Sequence, residues 1–314
     1  MVQELLHSFK TRKLKTWMVG YKVDLSKAYD RVDWHFLVTI LRNLGFNDKF
    51  MSWVFKCVST ISYTLLINGS KMGEIAPSRG LRQGDPLSPY LFIICQEVLS
   101  RLIGRQQMAG NIKGVKADRI GPSFTHLMYV DDVVLFCHAK VREIKTMEEC
   151  LKKYCSWFEQ QINKDKSGVF VSKTVHVTTV KQITKRLKVR KLALDSKYLG
   201  SPMFLSTSRV KDFRYINRKV EAKLSGWKNK ALSWAGRSTL IKDIVQAIPT
   251  FTMSTFDIPT HNCSRLDAVA RKFWWKGTNN ANRFVAWKDW DKLCQPKRMG
   301  GWGFKDSKIL TKLC

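Results

Sequence analysis

The sequence predicts an α+β domain followed by a basic helical one, with the boundary near residue 205. Three observations carry this. Strand-like apolar runs at 17–24 and 125–137 are interleaved with segments of helical apolar spacing. Beyond residue 205, Phe213, Ile216, Val220, Leu224 and Trp227 share one helical face, and Arg214, Arg218, Lys219, Lys223 and Lys228 cover much of the rest. Fifty-five Lys and Arg against 25 Asp and Glu give a formal charge of +30. The cations run through apolar, Trp-rich sequence instead of forming a tail, so the positive surface belongs to the fold.

Taken in order, residues 1–16 read as the end of a helix (Leu5, Leu6, Phe9) and a basic turn. Residues 17–24 read as a strand that ends on an acid, Asp24. Asp33 to Leu44 has helical spacing stopped by Gly45, and 50–59 is helical too. Ser62 to Asn68 is β-rich and ends in Asn68-Gly69, a hairpin-turn signal. A Gly/Pro/Ser-rich loop over 77–89 leads into an apolar helix from Tyr90 to about Ile103. Residues 125–137 read as two short strands interrupted by Asp131-Asp132. A helix follows from about Glu143 to Gln161, then a short strand at 169–171. In the basic region a second helix runs from Ser238 to Ile248, halted by Pro249, and a third spans about Ser264 to Trp275. The Trp- and Gly-rich tail reads as irregular.

A hydrophobic content of 44% and an aromatic content of 11% fit a globular chain. A field of +30 favours a polyanionic partner, steering nucleic acid in and strengthening binding by counterion release. A basic surface that only confers solubility, or a ribosomal type of chain, has the same charge. Eight cysteines show no C-x-x-C pair and no short Cys/His quartet, so reduced thiols with no disulfide partner are expected. Cys150 with Cys155, and His261 with Cys263, read as structural. With no signal-like leader and no membrane-length apolar run, the expected location is intracellular, in nucleus or cytoplasm, and not secreted. The basic run 185–191 fits a solvated helix face or a nuclear import signal.

Two acidic sites carry chemistry. Asp24 ends an apolar strand, and Asp131 and Asp132 sit between two hydrophobic ones. Acids in such surroundings are costly to bury unless paired with cations or hydrogen-bonded. If the Asp24 strand pairs with the hairpin, three carboxylates converge at a sheet edge. That arrangement suits two Mg²⁺ ions about 3.5–4 Å apart, which stabilise an in-line phosphoryl displacement. Mg²⁺ takes hard oxygen ligands and keeps waters, so a few carboxylates suffice. Taken alone, the Asp-Asp dipeptide reads better as a plain surface turn.

The neighbouring segments decide between these readings. Val23-Asp24-Leu25-Ser26-Lys27-Ala28-Tyr29-Asp30, then Arg79-Gly80-Leu81-Arg82-Gln83-Gly84-Asp85-Pro86-Leu87-Ser88-Pro89, then Tyr129-Val130-Asp131-Asp132 occur in order. Ile162-Asn163-Lys164-Asp165-Lys166, Tyr198-Leu199-Gly200 and Gly300-Gly301-Trp302-Gly303-Phe304 follow. Together they resemble consecutive motifs of reverse transcriptases, in wording most similar to LINE-type (non-LTR) retrotransposons of plants, over nearly the whole chain.

The resemblance implies a right-hand polymerase palm, an antiparallel sheet with hairpin-borne acids backed by helices, and a helical thumb-like domain after it. Residues 1–16 would be a remnant of the fingers, 17–205 the palm with its loop and helix, and 206–314 the basic thumb and C-terminal connection. Asp24, Asp131 and Asp132 would hold two Mg²⁺ ions, replaceable by Mn²⁺. Tyr29 would crowd the sugar 2′ position, while Arg82, Gln83, Gly84 and Tyr129 would contact nucleotide and template. Lys166 would act as general acid toward pyrophosphate, and Tyr198, Leu199 and Gly200 would form the primer grip. The implied partners are an RNA template, a DNA primer, their RNA–DNA hybrid and dNTPs, with no membrane.

Tyr-Val-Asp-Asp replaces the Phe-Ala-Asp-Asp expected of plant elements, with both acids kept. The chain begins where the family's fingers region would be ending, and no upstream endonuclease, RNase H region or terminal Cys/His cluster is recognisable. Hence two rivals stand beside the polymerase. One is a catalytically inactive nucleic-acid-binding remnant of a retrotransposon polyprotein. The other is a maturase-like splicing factor, which would need an intron-binding domain.

Overall fold

The structure, a computed structural model, describes residue 5 and residues 17–116, 121–193, 196–226, 232–276 and 285–313. The helix end and basic turn expected over 1–16 therefore lie outside the described residues except for Leu5, as do Trp227 and Lys228. The chain divides into two compact units, Met1–Leu199 and Gly200–Cys314.

The first unit starts with strand β1 (Met18–Asp24), followed by helices α1 (Trp34–Asn43) and α2 (Asp48–Ser59). Asp33 caps α1 by accepting from the Phe36 N–H at 2.6 Å, and Asn47 caps α2 in the same way. A hairpin of β2 (Tyr63–Ile67) and β3 (Ser70–Ile75) turns at Asn68-Gly69, both with positive φ. Helix α3 (Ser88–Met108) is longer at both ends than its apolar stretch suggested. Pro89 sits in its first turn, where a missing N–H is harmless, so proline starts this helix instead of delaying it.

A small ribbon of β4 (Val115–Lys116) and β5 (Ser123–Phe124) precedes the hairpin β6 (His126–Tyr129) and β7 (Asp132–His138). Helix α4 (Val141–Trp157), β8 (Gly168–Val171), α5 (Val177–Leu187) and β9 (Arg190–Lys191) complete the set. The basic run at 185–191 is thus not one helix face. Lys188 turns left-handed at φ 53° and ends α5, and the chain re-enters the sheet.

The main sheet has the order β6-β7-β1-β8-β9. Its first four strands pair antiparallel, but β8 pairs parallel with β9, so the sheet is mixed where an antiparallel one was expected. Alternation along the strands separates two faces. Val19, Tyr21 and Val23 of β1, with Val133, Leu135 and Cys137 of β7, join a buried core with Leu37, Leu41, Phe92, Leu99, Leu151 and Phe158 from the helices. The opposite face carries Gly20, Lys22 and Asp24 beside Asp132, Val134 and Phe136. Gly20 is required there, because a Cβ would lie 2.0 Å from the ring of Phe170.

The second unit packs α6 (Arg209–Leu224), α7 (Trp234–Leu240), a π-helical turn (Ile241–Val245), α8 (Ala247–Met253) and α9 (Thr260–Lys276). Phe213, Ile216, Val220, Ile241, Leu266, Phe273 and Trp274 form its core. Pro249 does not halt a helix, contrary to the sequence expectation. The π turn, closed by the Gln246 N–H on the Ile241 carbonyl at 3.0 Å, restarts the helix and leaves Pro249 in a first turn. Nor is the tail irregular: α10 (Trp290–Cys294) and α11 (Ser307–Leu313) flank a 3₁₀ turn at Lys297–Met299. Trp290 stacks on Phe304 at 5.4 Å, so tertiary packing of aromatics organises what local propensity does not. Among the described residues no helix is long and apolar enough to cross a membrane.

Candidate active site

Asp24 is the last residue of β1 and Asp132 the first of β7, and the two are direct Cα partners. Directly paired residues present their side chains on one face, and like charges there repel. The turn falls at Val130-Asp131, one residue earlier than the expected break, since Tyr129 already pairs with Asp132. Val130 holds φ at 52°, a conformation that costs a β-branched residue about 1–3 kcal/mol. It places Asp131 at the tip of the hairpin, next to the Asp24–Asp132 pair.

Electrostatics tie these acids together. Burial raises the pKa of Asp132, the nearby Lys22 ammonium opposes that, and the charges of Asp131 and Asp24 raise it further. Lys22 Nζ stands 3.6 Å from Asp132 Oδ1 and donates to the Lys197 carbonyl at 3.0 Å. It also lies 5.8 Å from the ring centre of Tyr198. Burial, with Asp132 nearby, pushes the Tyr198 phenol up to about 12. Burial and then Asp131 likewise raise Tyr29. Lys22 therefore opposes the effect that Asp131 and Asp24 have on Asp132. Among the described residues no three His, Cys, Asp or Glu side chains are gathered tightly enough to cage an ion. In kind and in charge, however, the oxygen donors fit a hard divalent cation.

The backbone under Asp24 is strapped from the 160–168 turn. Its N–H donates to Ser167 Oγ at 2.9 Å, and its carbonyl accepts from the Asn163 N–H at 2.8 Å. Asn163 Oδ1 in turn accepts from the Asp165 and Lys166 N–H groups, each at 3.2 Å. Lys166 is exposed on this turn, linked to Asp24 through backbone and not through its side chain.

The loop that carries Arg82, Gln83 and Gly84 is anchored at its root. The Gly80 N–H donates to the Val32 carbonyl at 2.8 Å, and the Leu81 N–H to the Tyr29 carbonyl at 2.9 Å. Trp34 Nε1 donates to the Gly80 carbonyl at 2.7 Å. Gly80 sits at φ 97°, with Asp30 O 2.9 Å from where a Cβ would be. Gly80→Ala is therefore expected to displace the loop from residues 29–32. Urea unfolding should show a loss of about 1–3 kcal/mol. Unchanged stability would count against this anchoring.

Past the anchor, Arg82, Gln83 and Gly84 are all exposed, with Gln83 Nε2 at 3.4 Å from Asp30 Oδ1. Arg79 instead pairs with Glu159. Tyr29 is half-buried and stacks on Phe92 at 5.0 Å and 13°, and Tyr129 is 59% exposed. Tyr198 is buried, and Leu199 and Gly200 follow with φ of 49° and 76°.

Sequence reasoning missed Lys22 and Ser167. A signal existed for Lys22, which lies two residues before Asp24 and hence on its face of the strand. Ser167 carried no distinguishing signal beyond its place in the 162–167 segment.

Residues 2–203 match the family model for Reverse transcriptase (RNA-dependent DNA polymerase). The chain belongs to that family. Its relatives lie with the LINE-type (non-LTR) retrotransposons that the motifs resemble. It is 26% identical over 250 residues to the Transposon TX1 149 kDa protein of Xenopus laevis, covering 78% of this chain and 18% of that one. It is 29% identical over 134 residues to the Pol polyprotein from retrotransposable element R2 of Popillia japonica, covering 42% and 21%. Mitochondrial protein AtMg01250 of Arabidopsis thaliana is 54% identical over 67 residues, covering 21% of this chain and 55% of that one. The chain thus spans about half of AtMg01250 and about a fifth of the other two.

Proposed function

We propose that this chain is the polymerase core of a retrotransposon reverse transcriptase, adding dNTPs to a DNA primer on an RNA template. The observation that carries this is the direct pairing of Asp24 with Asp132 beside Asp131, on the sheet face turned away from the helices. The first unit would be the palm and the second the basic thumb-like part.

Asp24 and Asp131 would hold two Mg²⁺ ions, with Asp132 as the second acid of the hairpin. When bound, the metals supply charge stabilisation and alignment for attack of the primer 3′-OH on the α-phosphate of a dNTP. Lys22 would hold Asp132 in place and keep it only partly available. Tyr29, braced by Phe92, would close the sugar 2′ side. Arg82 and Gln83, with Tyr129 on the hairpin, would meet nucleotide and template. Gly84, at φ 88° with open space around it, would let the backbone approach closely. Lys166 would hand a proton to the departing pyrophosphate. Tyr198, Leu199 and Gly200 would grip the primer, and the cations of α6 would track duplex phosphates without reading sequence.

Incorporation of dTTP on poly(rA)/oligo(dT) tests this reading. Extension should need Mg²⁺ or Mn²⁺ and stop on chelation. Salt-sensitive template binding with no incorporation under either metal would leave only the inactive nucleic-acid-binding remnant. An intracellular site of action, in nucleus or cytoplasm, accompanies the polymerase reading.

A further inference from the structure

The second unit lies almost wholly outside residues 2–203, and it holds an aromatic cluster to which the proposed polymerase reading gives no role. Within a cluster of four indoles, three stand in a row: Trp234 lies 4.9 Å from Trp274, and Trp302 lies 4.8 Å from Trp274, each pair inclined at 62°. Trp275 packs against Trp234 at 5.8 Å and Trp274 at 6.4 Å. The middle ring is 2% exposed, whereas Trp234 is 48% and Trp302 36% exposed. About half of Trp234 and a third of Trp302 are thus left in solvent, each packed on the buried Trp274.

Trp234 is held at its ring and Trp302 at its backbone. Arg237 lies over Trp234 with Cζ 5.1 Å from the ring centre, and its Nη1 donates to the Trp274 carbonyl at 3.1 Å. The backbone N–H of Trp302 donates to the Leu293 carbonyl at 2.9 Å. Two more cations border the row. Lys242 Nζ is 5.8 Å from the ring of Phe304, which packs on Trp274, and Lys288 Nζ donates to the Gly300 carbonyl at 2.8 Å. Among the described residues none of Arg237, Lys242 and Lys288 is ion-paired with a carboxylate.

Rigid exposed rings beside unpaired cations suit a ligand that offers flat π faces and anionic phosphates together. A duplex stacks its bases on one another and offers a protein only its backbone and groove edges. A single strand offers both rings and phosphates. We infer that Trp234 and Trp302 form a stacking platform for single-stranded nucleic acid. Bases would lie on the two indoles and on the Arg237 guanidinium, with phosphates drawn to Lys242 and Lys288.

Anisotropy of labelled oligo(dT), oligo(U) and a blunt duplex, measured on the full chain without nucleotide, tests this independently of polymerisation. Trp234→Leu and Trp302→Leu should each weaken single-strand binding about 5- to 100-fold, and Trp→Phe should restore most of it. Duplex binding, set by backbone charge, should change less than about twofold. Extension on poly(rA)/oligo(dT), assayed in parallel, reads the polymerase separately: single-strand binding that depends on Trp234 and Trp302 without any extension would sink the polymerase reading and leave the platform standing. In case a leucine variant misfolds, photocrosslinking of an iodouracil-bearing single strand to the unmutated chain should label peptides containing Trp234 or Trp302. Single-strand affinity unaffected in both leucine variants, an equal fall in duplex binding, or labelling confined to residues 17–193 would overturn the platform.

Discussion

Replacing Asp131 with asparagine is expected to lower primer extension by about a hundred- to a thousandfold or more, the scale set by removing one charge that stabilises a transition state. The same change should not weaken the fold. Asp131 sits at the tip of the β6–β7 turn, and its charge already raises the pKa of Asp132. Asparagine therefore relieves a like-charge contact, and the thermal midpoint should hold or rise. Loss of extension with a retained midpoint and retained template binding assigns the effect to chemistry. Asp132→Asn should cost less, because Lys22, at 3.6 Å, already offsets part of that carboxylate's charge. A variant series in which Asp132 mattered more than Asp131 would contradict this ranking.

Phe92→Ala carries the largest expected loss of stability. The ring is fully buried on α3, stacks on Tyr29 and lies 6.4 Å from Phe158, itself packed on Phe36 and Tyr154. Truncating a buried phenylalanine costs about 3–5 kcal/mol, a large share of the 5–15 kcal/mol typical of a domain. The unfolding midpoint should fall by about 10 °C or more, with Phe92→Leu recovering most of it. Under folded conditions the alanine variant should also admit ribonucleotides more readily, because Tyr29 loses the ring that fixes it. An unchanged midpoint would mean that the helix layer does not brace the sheet as described.

How far the sequence discloses this molecule depends on where its information is local. Asp33 and Asn68-Gly69 are local signals, and the α1 cap and the β2–β3 turn sit where those residues imply. The facing of Asp24 and Asp132 was conditional on one pairing, β1 with β7, which periodicity suggests but register alone fixes. Strand β9 was invisible: two residues, Arg190 and Lys191, join the sheet only because Lys188 takes a left-handed turn. Pro249 misled for a related reason, since a π turn upstream makes its position a helix start. In the tail, Trp290 and Phe304 organise short helices through contacts distant in sequence, which no window on the sequence reveals. Lys22 could have been found, because alternation puts it beside Asp24.

The central claim is that Asp24, Asp131 and Asp132 act as one phosphoryl-transfer centre. The most direct measurement compares dTTP incorporation on poly(rA)/oligo(dT) by the chain and by Asp131→Asn, side by side in Mg²⁺. Template-dependent extension by the first and its loss in the second is the predicted result. Equal incorporation by both would contradict it.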